Sequence, residues 1–310
     1  MKLVFFGSPE FALPALELLN SKHEVCLAVT QPDRPKGRGR KLEGTAVAKF
    51  CEVNAIPYIN PVAVKTASFA EKLEATGADY GIVVAYGRIL TDRVLNAFKN
   101  GCLNIHPSLL PRFRGPAPVN HALIEGCTES GVTIMQVGSE MDAGDIISQK
   151  KFSITAFNSA GELLDFCAIS GAQMLGDVLD LEEKTGLLLP RTPQDNNLST
   201  YAGALETQSA RIDWTQRADK VCAHIRGYDP RPGAWTVYKE QRIKLFHPQV
   251  FKASGKPGEI LGMSSNGLIV ACKEGSVTIN ELQMPSKVRM TFKAASAGNS
   301  FDPGSFMEVF

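Results

Sequence analysis

The sequence predicts an α/β protein with two domains, in which a parallel sheet covered by helices on both faces precedes a small antiparallel barrel. Two observations predict the first domain: continuous apolar runs such as LVFF at 3–6 and YGIVVAYG at 80–87, and helical periods between these runs. Short apolar runs separated by turn signals such as Asn266-Gly267 predict the barrel. With 310 residues, 44% of them hydrophobic, the chain can bury at least one full core.

Apolar and amphipathic segments alternate along the first half of the chain. The predicted strands are LVFF (3–6), VCLAV (25–29), YGIVVAYG (80–87), GCLNI (101–105), GVTIMQV (131–137) and IISQKKFSI (146–154). The predicted helices are PALELL (14–19) and AVAKFCEV (46–53). Ser159 and Glu162 have the spacing of a capping box, which predicts a long helix that ends near Gly186. Parallel sheets of this kind place their sites at the carboxyl ends of the strands.

The second half begins after a change in composition. Residues 190–200, PRTPQDNNLST, are rich in Pro, Asn, Thr and Ser and almost free of apolar side chains, which is typical of a linker. We therefore predict domains at 1–189 and 206–310, joined by a linker at 190–205. Residues up to 202 contain 19 Lys and Arg against 22 Asp and Glu, and the remainder contains 14 against 10. The basic second part predicts an anionic partner.

Neither the amino terminus nor the cysteines indicate a membrane or metal protein. The first apolar run, Leu3–Phe6, is too short for a signal peptide or a membrane span, so we expect no membrane association. The seven cysteines include no C-x-x-C pair and no histidine at the spacing of metal ligands, which predicts neither a metal nor a disulfide framework. Their odd number favours a reducing, cytoplasmic location.

Asn104 and His106 are polar residues in the otherwise apolar strand that precedes Pro107. Side chains alternate along a strand, so both point to the same face, roughly 7 Å apart, near its carboxyl end. One interpretation is structural: Asn104 caps a turn and His106 bonds a backbone carbonyl. The other is chemical, because an amide donor beside an imidazole can hold a carbonyl oxygen that becomes an oxyanion.

The loop SEMDAGD at 139–145 adds an acid to this pair. Asp142 also follows a strand, and a carboxylate near His106 would orient the imidazole and favour its charged form. Asn104, His106 and Asp142 together predict acyl transfer to a nucleophile that the substrate supplies. Ser108, two residues after His106, leaves a Ser/His nucleophile pair as an alternative.

Common nucleotide-binding and hydrolase signatures are missing from the sequence. FFGSPEFA at 5–12 begins like a nucleotide-binding turn but has one glycine, Gly7, where a dinucleotide cradle needs three. The chain also lacks G-x-S-x-G, H-E-x-x-H and a Walker A loop, which argues against the common hydrolases and NTPases.

N-I-H-P-S-L-L-P at 104–111, R-F-R-G-P-A-P at 112–118 and M-D-A-G-D at 141–145 resemble the motifs of the folate-dependent formyltransferases. The resemblance extends along the whole chain, through FFGSPEFA, TQPDRPKGRGRKL, VVAYGRIL, RIDW and IRGYDPRPGAW, to the branch of this family that formylates methionyl-tRNA. It implies a Rossmann-like N-terminal formyltransferase domain and a C-terminal antiparallel β-barrel related to OB folds.

The resemblance also implies roles for residues at the matching positions. The implied catalytic set is Asn104, His106 and Asp142. The loop implied to contact tetrahydrofolate consists of Ser108, Leu109, Leu110 and Pro111. The stretch AYGRIL at 85–90 would line the pterin pocket.

The implied enzyme transfers the formyl group of 10-formyltetrahydrofolate, its co-substrate, to the free α-amine of methionine on initiator tRNA, for translation initiation. Asn104 and protonated His106 would stabilise the oxyanion. His106, or a water held with Asp142, would assist proton transfer to the departing folate nitrogen. The resemblance implies no metal, and a monomer is sufficient to bind tRNA.

The stretch PDRPKGRGRK at 32–41 is a basic run. Taken alone, such a run is more often a solvated loop than a binding element. The resemblance implies that it inserts against the tRNA acceptor end, with Arg38 at the position of the family's central arginine. The implied tRNA-binding residues are Arg34, Lys36, Arg38, Arg40 and Lys41.

Other functions stay open at this point. A sugar-amine formyltransferase shares the catalytic residues and can share the barrel, but it has no need of the basic run. A glycinamide ribonucleotide transformylase would lack the second domain. The intact catalytic residues argue against a non-catalytic RNA-binding protein on the same scaffold. The missing glycine fingerprint argues against a nicotinamide-dependent dehydrogenase.

Overall fold

The structure is a computed structural model of the chain, and it describes residues 1–36 and 41–309. The strands are β1 Lys2–Gly7, β2 Glu24–Val29, β3 Arg34–Lys36, β4 Lys41–Glu43, β5 Tyr58–Ile59, β6 Tyr80–Val84, β7 Cys102–His106, β8 Glu129–Gln136, β9 Ile146–Ser153, β10 Trp235–Tyr238, β11 Gln241–Phe251, β12 Ile260–Ser264, β13 Gly267–Ala271, β14 Ser276–Gln283 and β15 Met290–Thr291. The helices are α1 Leu13–Lys22, α2 Ala46–Val53, α3 Ala67–Glu74, α4 Asp92–Leu95, α5 Pro118–Ile124, α6 Ala160–Thr185, α7 Ala218–Gly227 and α8 Phe292–Ser296.

The predicted secondary structure of the first half is confirmed. Each apolar run predicted as a strand overlaps one of the strands, and AVAKFCEV forms α2. The capping box is confirmed as well: Ser159 N–H donates to Glu162 Oε2 over 2.8 Å, and Glu162 N–H donates to Ser159 Oγ over 3.3 Å. Helix α6 ends just before Gly186, whose φ of +71° is the left-handed conformation that ends many helices.

The chain forms two compact units, and neither is continuous in sequence. The first comprises residues 1–115, 131–151 and 164–201; the second comprises 116–130, 152–163 and 202–310. The predicted domains, 1–189 and 206–310 with a linker between them, divide the chain along its sequence, whereas the second unit also includes residues 116–130 and 152–163 of the predicted first domain. A functional division at 190–205 stays a prediction.

The first unit is built on a seven-stranded sheet with the order β5-β2-β1-β6-β7-β8-β9. The strands from β5 to β7 pair in parallel, as predicted, whereas β8 is antiparallel to β7. Gln136, the last residue of β8, therefore lies opposite Leu103, near the start of β7. The loop that carries Asp142 leaves the sheet there, roughly 10 Å along the strand from His106.

Helix α6 packs against the face of β7 opposite His106. Gly171 allows the close approach, because a Cβ there would lie 2.4 Å from Ile105 Cγ2 and 3.1 Å from Val132 Cγ1. Both neighbours are buried β-branched side chains, whose χ1 angles have little freedom to adjust. Ile105 thus anchors β7 to the helix layer, while Asn104 and His106, one residue away on either side, point to the other face.

The second unit contains a curled antiparallel sheet with the order β10-β11-β14-β13-β12, and β15 pairs with β14. Its core surrounds Trp214, which is fully buried and donates from Nε1 to Thr236 Oγ1 over 3.1 Å. The end of the chain joins the two edges of the sheet. Met307 N–H donates to Gly258 O beside β12, and Glu308 N–H donates to Val237 O of β10. These bonds cover strand edges that would otherwise present unpaired backbone groups, which matches the predicted barrel.

No helix within the described residues has both the length and the apolar content needed to cross a membrane. The seven cysteines are free thiols. Burial raises the pKa of Cys102, Cys167, Cys222 and Cys272 to about 12 each. These four side chains therefore contribute to packing as neutral groups at physiological pH.

The contact between Gly171 and β7 predicts an asymmetry between two glycines of α6. Gly171→Ala should lower the free energy of unfolding by about 1–3 kcal/mol, because the new methyl group overlaps stiff side chains. Gly176→Ala is the matched control: its Cβ meets only the end of the Leu18 side chain, at 3.0 Å, and alanine has the higher helix propensity. Urea denaturation followed by circular dichroism measures both, and equal effects would contradict the packing argument.

Candidate active site

The site in the first unit is centred on the last residues of β7. His106 ends the strand with 4% of its surface exposed, and Asn104 is half-buried two residues earlier. Strand alternation places both side chains on one face, as the sequence predicts. The sheet fixes their backbone on both sides, since β7 pairs with β6 and with β8, where Thr133 lies opposite His106.

The two ring nitrogens of His106 have different partners. Nε2 lies 2.8 Å from the carbonyl oxygen of Phe113. A carbonyl can only accept a hydrogen bond, so this contact assigns the proton of the neutral ring to Nε2. Nδ1 lies 3.7 Å from Asp142 Oδ2 and carries the free lone pair. The proton that His106 gains or loses is therefore the one at Nδ1, on the side of the carboxylate.

The side chain of Asp142 is hydrogen-bonded, and its backbone has an unusual conformation. Its Oδ2 accepts a hydrogen bond of 2.8 Å from the N–H of Gly115. Its φ of +52° lies in the left-handed region, which aspartate tolerates better than most residues. Phe113, whose carbonyl orients His106, also has a left-handed φ, of +59°. The predicted contact between Asp142 and His106 thus exists, and it depends on two unusual backbone conformations.

Burial lowers the pKa of His106 below its ordinary value of 6.5. The Asp142 carboxylate and the hydrogen bond to Phe113 both raise this pKa, but desolvation of the ring is the larger effect. The Asp142 carboxylate thus favours the charged ring, as the sequence predicts, but desolvation outweighs it; a protonated His106 at the stage of the oxyanion stays a prediction. The imidazole is neutral at physiological pH and offers Nδ1 as a base.

Asn104 has no structural role of the kind considered above. Among the described residues, no group forms a hydrogen bond with its carboxamide, and the side chain is partly accessible. It caps no turn. The amide is therefore available to donate to a bound oxygen beside His106.

Ser108 is not part of a nucleophile pair. Its hydroxyl is buried and donates to the carbonyl of Arg112 over 2.7 Å, and the nearest partners of His106 are Phe113 and Asp142. This hydrogen bond closes the turn that follows β7. The Ser/His alternative is therefore wrong.

The loop Ser108–Pro111 is held by two residues that the sequence did not single out. Thr133 Oγ1 donates to Ser108 O over 2.6 Å and accepts from Leu110 N–H at 3.3 Å. Gln149 Nε2 donates to Leu110 O over 2.9 Å and to Thr133 Oγ1 over 3.0 Å. The order β7-β8-β9 in the sheet brings Thr133 of β8 and Gln149 of β9 to this loop, whereas in the sequence they are single polar residues within strands.

The AYGRIL stretch forms a bonded turn in the same unit. Ala85 and Gly87 have φ values of +49° and +74°. Gln31 Nε2 donates to Tyr86 O over 2.7 Å, and Arg88 Nη1 donates to the carbonyls of Pro61 and Val62 over 3.1 and 2.8 Å. This turn presents a defined backbone shape, and whether it binds a pterin stays a prediction.

The basic run begins and ends in a two-stranded ribbon, in which β3 pairs with β4 in antiparallel fashion. Arg34 is exposed, and its guanidinium donates to Gln31 Oε1. The other predicted tRNA contacts, Arg38 and Arg40, lie outside the described residues, as do the side chains of Lys36 and Lys41.

The site contains acids and a histidine but no cluster suited to a metal. Within the described residues, no group of three or more His, Cys, Asp or Glu side chains could hold an ion. The chemistry available to this site is that of an amide donor, an imidazole base and a carboxylate.

Comparisons with known proteins give the same family for both parts of the chain. Residues 1–179 match the model described as formyl transferase, and residues 204–300 match that of the formyl transferase C-terminal domain. The methionyl-tRNA formyltransferase of Geobacter sulfurreducens is 38% identical, over 98% of this chain and 96% of its own length. The same enzyme of Methylobacillus flagellatus is 40% identical, over 98% of both chains.

Solved structures share the fold at low identity. A methionyl-tRNA formyltransferase from Clostridium thermocellum superposes with a TM-score of 0.57 at 15% identity, over 90% of this chain and 98% of that one. The sugar 3N-formyl transferase WlaRD gives 0.67 at 17% identity, over 93% and 99% of the two chains. HypX from Aquifex aeolicus, in complex with tetrahydrofolic acid, superposes with a TM-score of 0.63 at 19% identity. The match covers 100% of this chain and 50% of that one.

The fold, a Rossmann-like sheet followed by a curled antiparallel sheet, and the sequence matches along nearly the whole chain agree with each other. The family resemblance read from the motifs at 104–118 and 141–145 is confirmed. This chain belongs to the formyl transferase family, and it matches both the formyl transferase model and that of the C-terminal domain.

Proposed function

We propose that this enzyme transfers the formyl group of 10-formyltetrahydrofolate to the α-amine of methionine on initiator methionyl-tRNA. The observation that carries the proposal is the 38–40% identity, along the whole chain, to relatives named methionyl-tRNA formyltransferase. The site supports it, because an amide, a neutral imidazole and a carboxylate meet the needs of transfer to an amine nucleophile that the substrate brings.

Asn104 is proposed to donate from its carboxamide to the formyl oxygen. Negative charge develops on that oxygen as the methionine nitrogen forms a bond to the formyl carbon. A well-placed donor at such an oxygen contributes about 10² to 10³ in rate. Asn104 suits this role because its amide is accessible and free of protein partners among the described residues.

His106 is proposed to accept the proton that the attacking amine loses. Nδ1 has the lone pair, and Nε2 keeps its hydrogen bond to Phe113 throughout. As the bond between the formyl carbon and N10 of the folate breaks, His106 returns the proton to that nitrogen. Asp142, at 3.7 Å, stabilises the imidazolium that exists between the two transfers. A positioned acid–base group of this kind contributes about 10² to 10⁴ in rate.

Substrate binding follows the family resemblance. The turn supported by Thr133 and Gln149, consisting of Ser108, Leu109, Leu110 and Pro111, is proposed to contact tetrahydrofolate, with residues 85–90 near the pterin. Residues 206–310 and the basic run are proposed to bind tRNA; the basic run comprises Arg34, Lys36, Arg38, Arg40 and Lys41. The enzyme is proposed to act as a cytoplasmic monomer without a metal.

The acceptor specificity is testable with purified protein. Given 10-formyltetrahydrofolate, the enzyme should formylate initiator methionyl-tRNA in strong preference to elongator methionyl-tRNA and to a UDP-amino sugar. Formyl transfer to each acceptor is followed by chromatography of the product. Transfer to the sugar alone would replace the tRNA proposal with a sugar-amine formyltransferase, which has the same catalytic chemistry.

The ionisation of His106 predicts the pH dependence of kcat/KM. Activity requires an unprotonated Nδ1. The value of kcat/KM should therefore fall as the pH decreases through the lowered pKa of His106, below 6.5. Because the Asp142 carboxylate raises that pKa, Asp142→Asn should move this acidic limb to still lower pH. It should also reduce the plateau kcat at least tenfold, on the order expected when an imidazolium loses its counter-charge.

Glu140→Gln is the matched control for Asp142→Asn, because it removes an exposed carboxylate from the same loop. It should change neither the limb nor the plateau. A limb that moved to higher pH in Asp142→Asn would contradict the assigned proton position.

The basic run predicts that the affinity for tRNA depends on the salt concentration. About four phosphate contacts predict a slope of the log of affinity against the log of salt near −3 to −4. Arg38→Ala should raise KM for methionyl-tRNA, leave KM for 10-formyltetrahydrofolate unchanged, and reduce that slope by about one. Lys99→Ala, at an exposed lysine outside the run, serves as the control. An unchanged KM for tRNA in Arg38→Ala would count against the assigned contact.

A further inference from the structure

The segment 190–201, which the sequence predicts as part of a linker, is bonded to both loops that form the site of the first unit. Thr192 and Ile146 exchange two backbone hydrogen bonds of 2.8 Å, just beyond the Asp142 loop. Thr200 Oγ1 accepts from Phe113 N–H at 2.9 Å, and Thr200 O accepts from Arg114 N–H at 2.9 Å. This polar segment therefore has the fixed partners of a structural element.

Gln194 lies midway along the segment and contacts the Asp142 loop directly. Its Nε2 donates to Asp142 O over 2.9 Å and to Gly144 O over 2.7 Å, so both amide hydrogens are used on one loop. Gly144 packs against the end of β8 with no room for a side chain, because a Cβ there would lie 1.9 Å from Gln136 O. Gln194 thus holds the loop at the residue whose side chain faces His106.

Arg114 completes a ring of hydrogen bonds around Asp142. Its Nε and Nη2 donate to Gln194 Oε1 over 3.0 and 2.8 Å, and Nη2 also donates to Asn196 Oδ1 over 2.8 Å. The next residue, Gly115, donates its N–H to Asp142 Oδ2. Gln194 therefore connects the backbone of Asp142 with the loop that binds the Asp142 carboxylate.

The loop needs such a restraint because of where it starts. It leaves β8 at Gln136, opposite Leu103, and has to return along β7 to bring Asp142 to His106. Asp142 adopts a left-handed φ on this path. An exposed loop with these features would sample other conformations unless bonds from elsewhere fixed it.

We propose that Gln194, oriented by Arg114, is a positioning residue for Asp142. Its two hydrogen bonds set the distance between the Asp142 carboxylate and Nδ1 of His106, and hence the stability of the imidazolium during formyl transfer. The inference rests on the proposed function, in which His106 and Asp142 carry the proton. Gln194 itself does not contact the reacting atoms.

Two substitutions separate its contacts. Gln194→Met keeps the length of the side chain and removes the bonds to both loops. Gln194→Glu keeps an oxygen for Arg114 but replaces the donor that faces the carbonyls of Asp142 and Gly144 with a second oxygen. Asn197→Ala is the matched control, because Asn197 is an exposed amide of the same segment whose side chain, within the described part of the chain, bonds only to Asp195.

Both Gln194 variants should reduce kcat about tenfold to hundredfold, as expected for a displacement near 1 Å in a catalytic pair. KM for each substrate should stay within about threefold, because no binding contact is removed. The acidic limb of kcat/KM should move to lower pH, in the direction of Asp142→Asn, since a more distant carboxylate raises the pKa of His106 less. Asn197→Ala should match the parent in all three measurements.

A double variant distinguishes positioning from general loosening of the structure. If Gln194 acts through Asp142, adding Gln194→Met to Asp142→Asn should lower kcat no further than Asp142→Asn alone. The proposal would be overturned if the losses in kcat of the two single variants multiplied in the double variant. It would also be overturned if Gln194→Met kept the parental kcat and the parental acidic limb of kcat/KM while Asp142→Asn was impaired. An unimpaired Asp142→Asn would instead overturn the proposed catalytic role, and this inference with it. Thermal melts of each variant show that the chain remains folded.

Discussion

The hydrogen bond between His106 Nε2 and the carbonyl of Phe113 is the interaction on which the chemistry of this site depends. A carbonyl oxygen has no hydrogen to give, so the bond exists in one tautomer only, and burial of the ring keeps water from offering an alternative. The remaining nitrogen then faces Asp142. A single backbone carbonyl thereby determines which ring nitrogen carries the proton of the neutral imidazole and which has the lone pair.

This arrangement has a conformational cost that the surrounding structure has to offset. Phe113 and Asp142 both have left-handed φ values, at a cost of about 1–3 kcal/mol each for residues other than glycine. Phe113 is held by the bond from its N–H to Thr200, and Asp142 by the bonds from Gly115 and Gln194. Hydrogen bonds from other segments of the chain thus restrain both residues with left-handed φ values.

The sequence predicts local features of the fold and of this site, and it misses those that depend on tertiary structure. Strand alternation places Asn104 and His106 on one face, and the spacing of Ser159 and Glu162 predicts a capping box, because both rules concern neighbours along the chain. The protonation state of His106 could not be predicted in this way. A nearby carboxylate is visible in the motif, whereas the desolvation that outweighs it comes from the loops that bury the ring.

The segment 190–201 shows a more general limit of composition-based prediction. Its lack of apolar side chains indicates that it fills no core, and that inference is sound, but it says nothing about hydrogen bonding. An active site made of irregular loops exposes backbone carbonyls and N–H groups that no strand or helix satisfies. Side chains such as those of Gln194 and Thr200 are what such groups require. A polar segment that follows a catalytic domain is therefore as well suited to support its loops as to separate it from the next domain, and only the contacts distinguish the two.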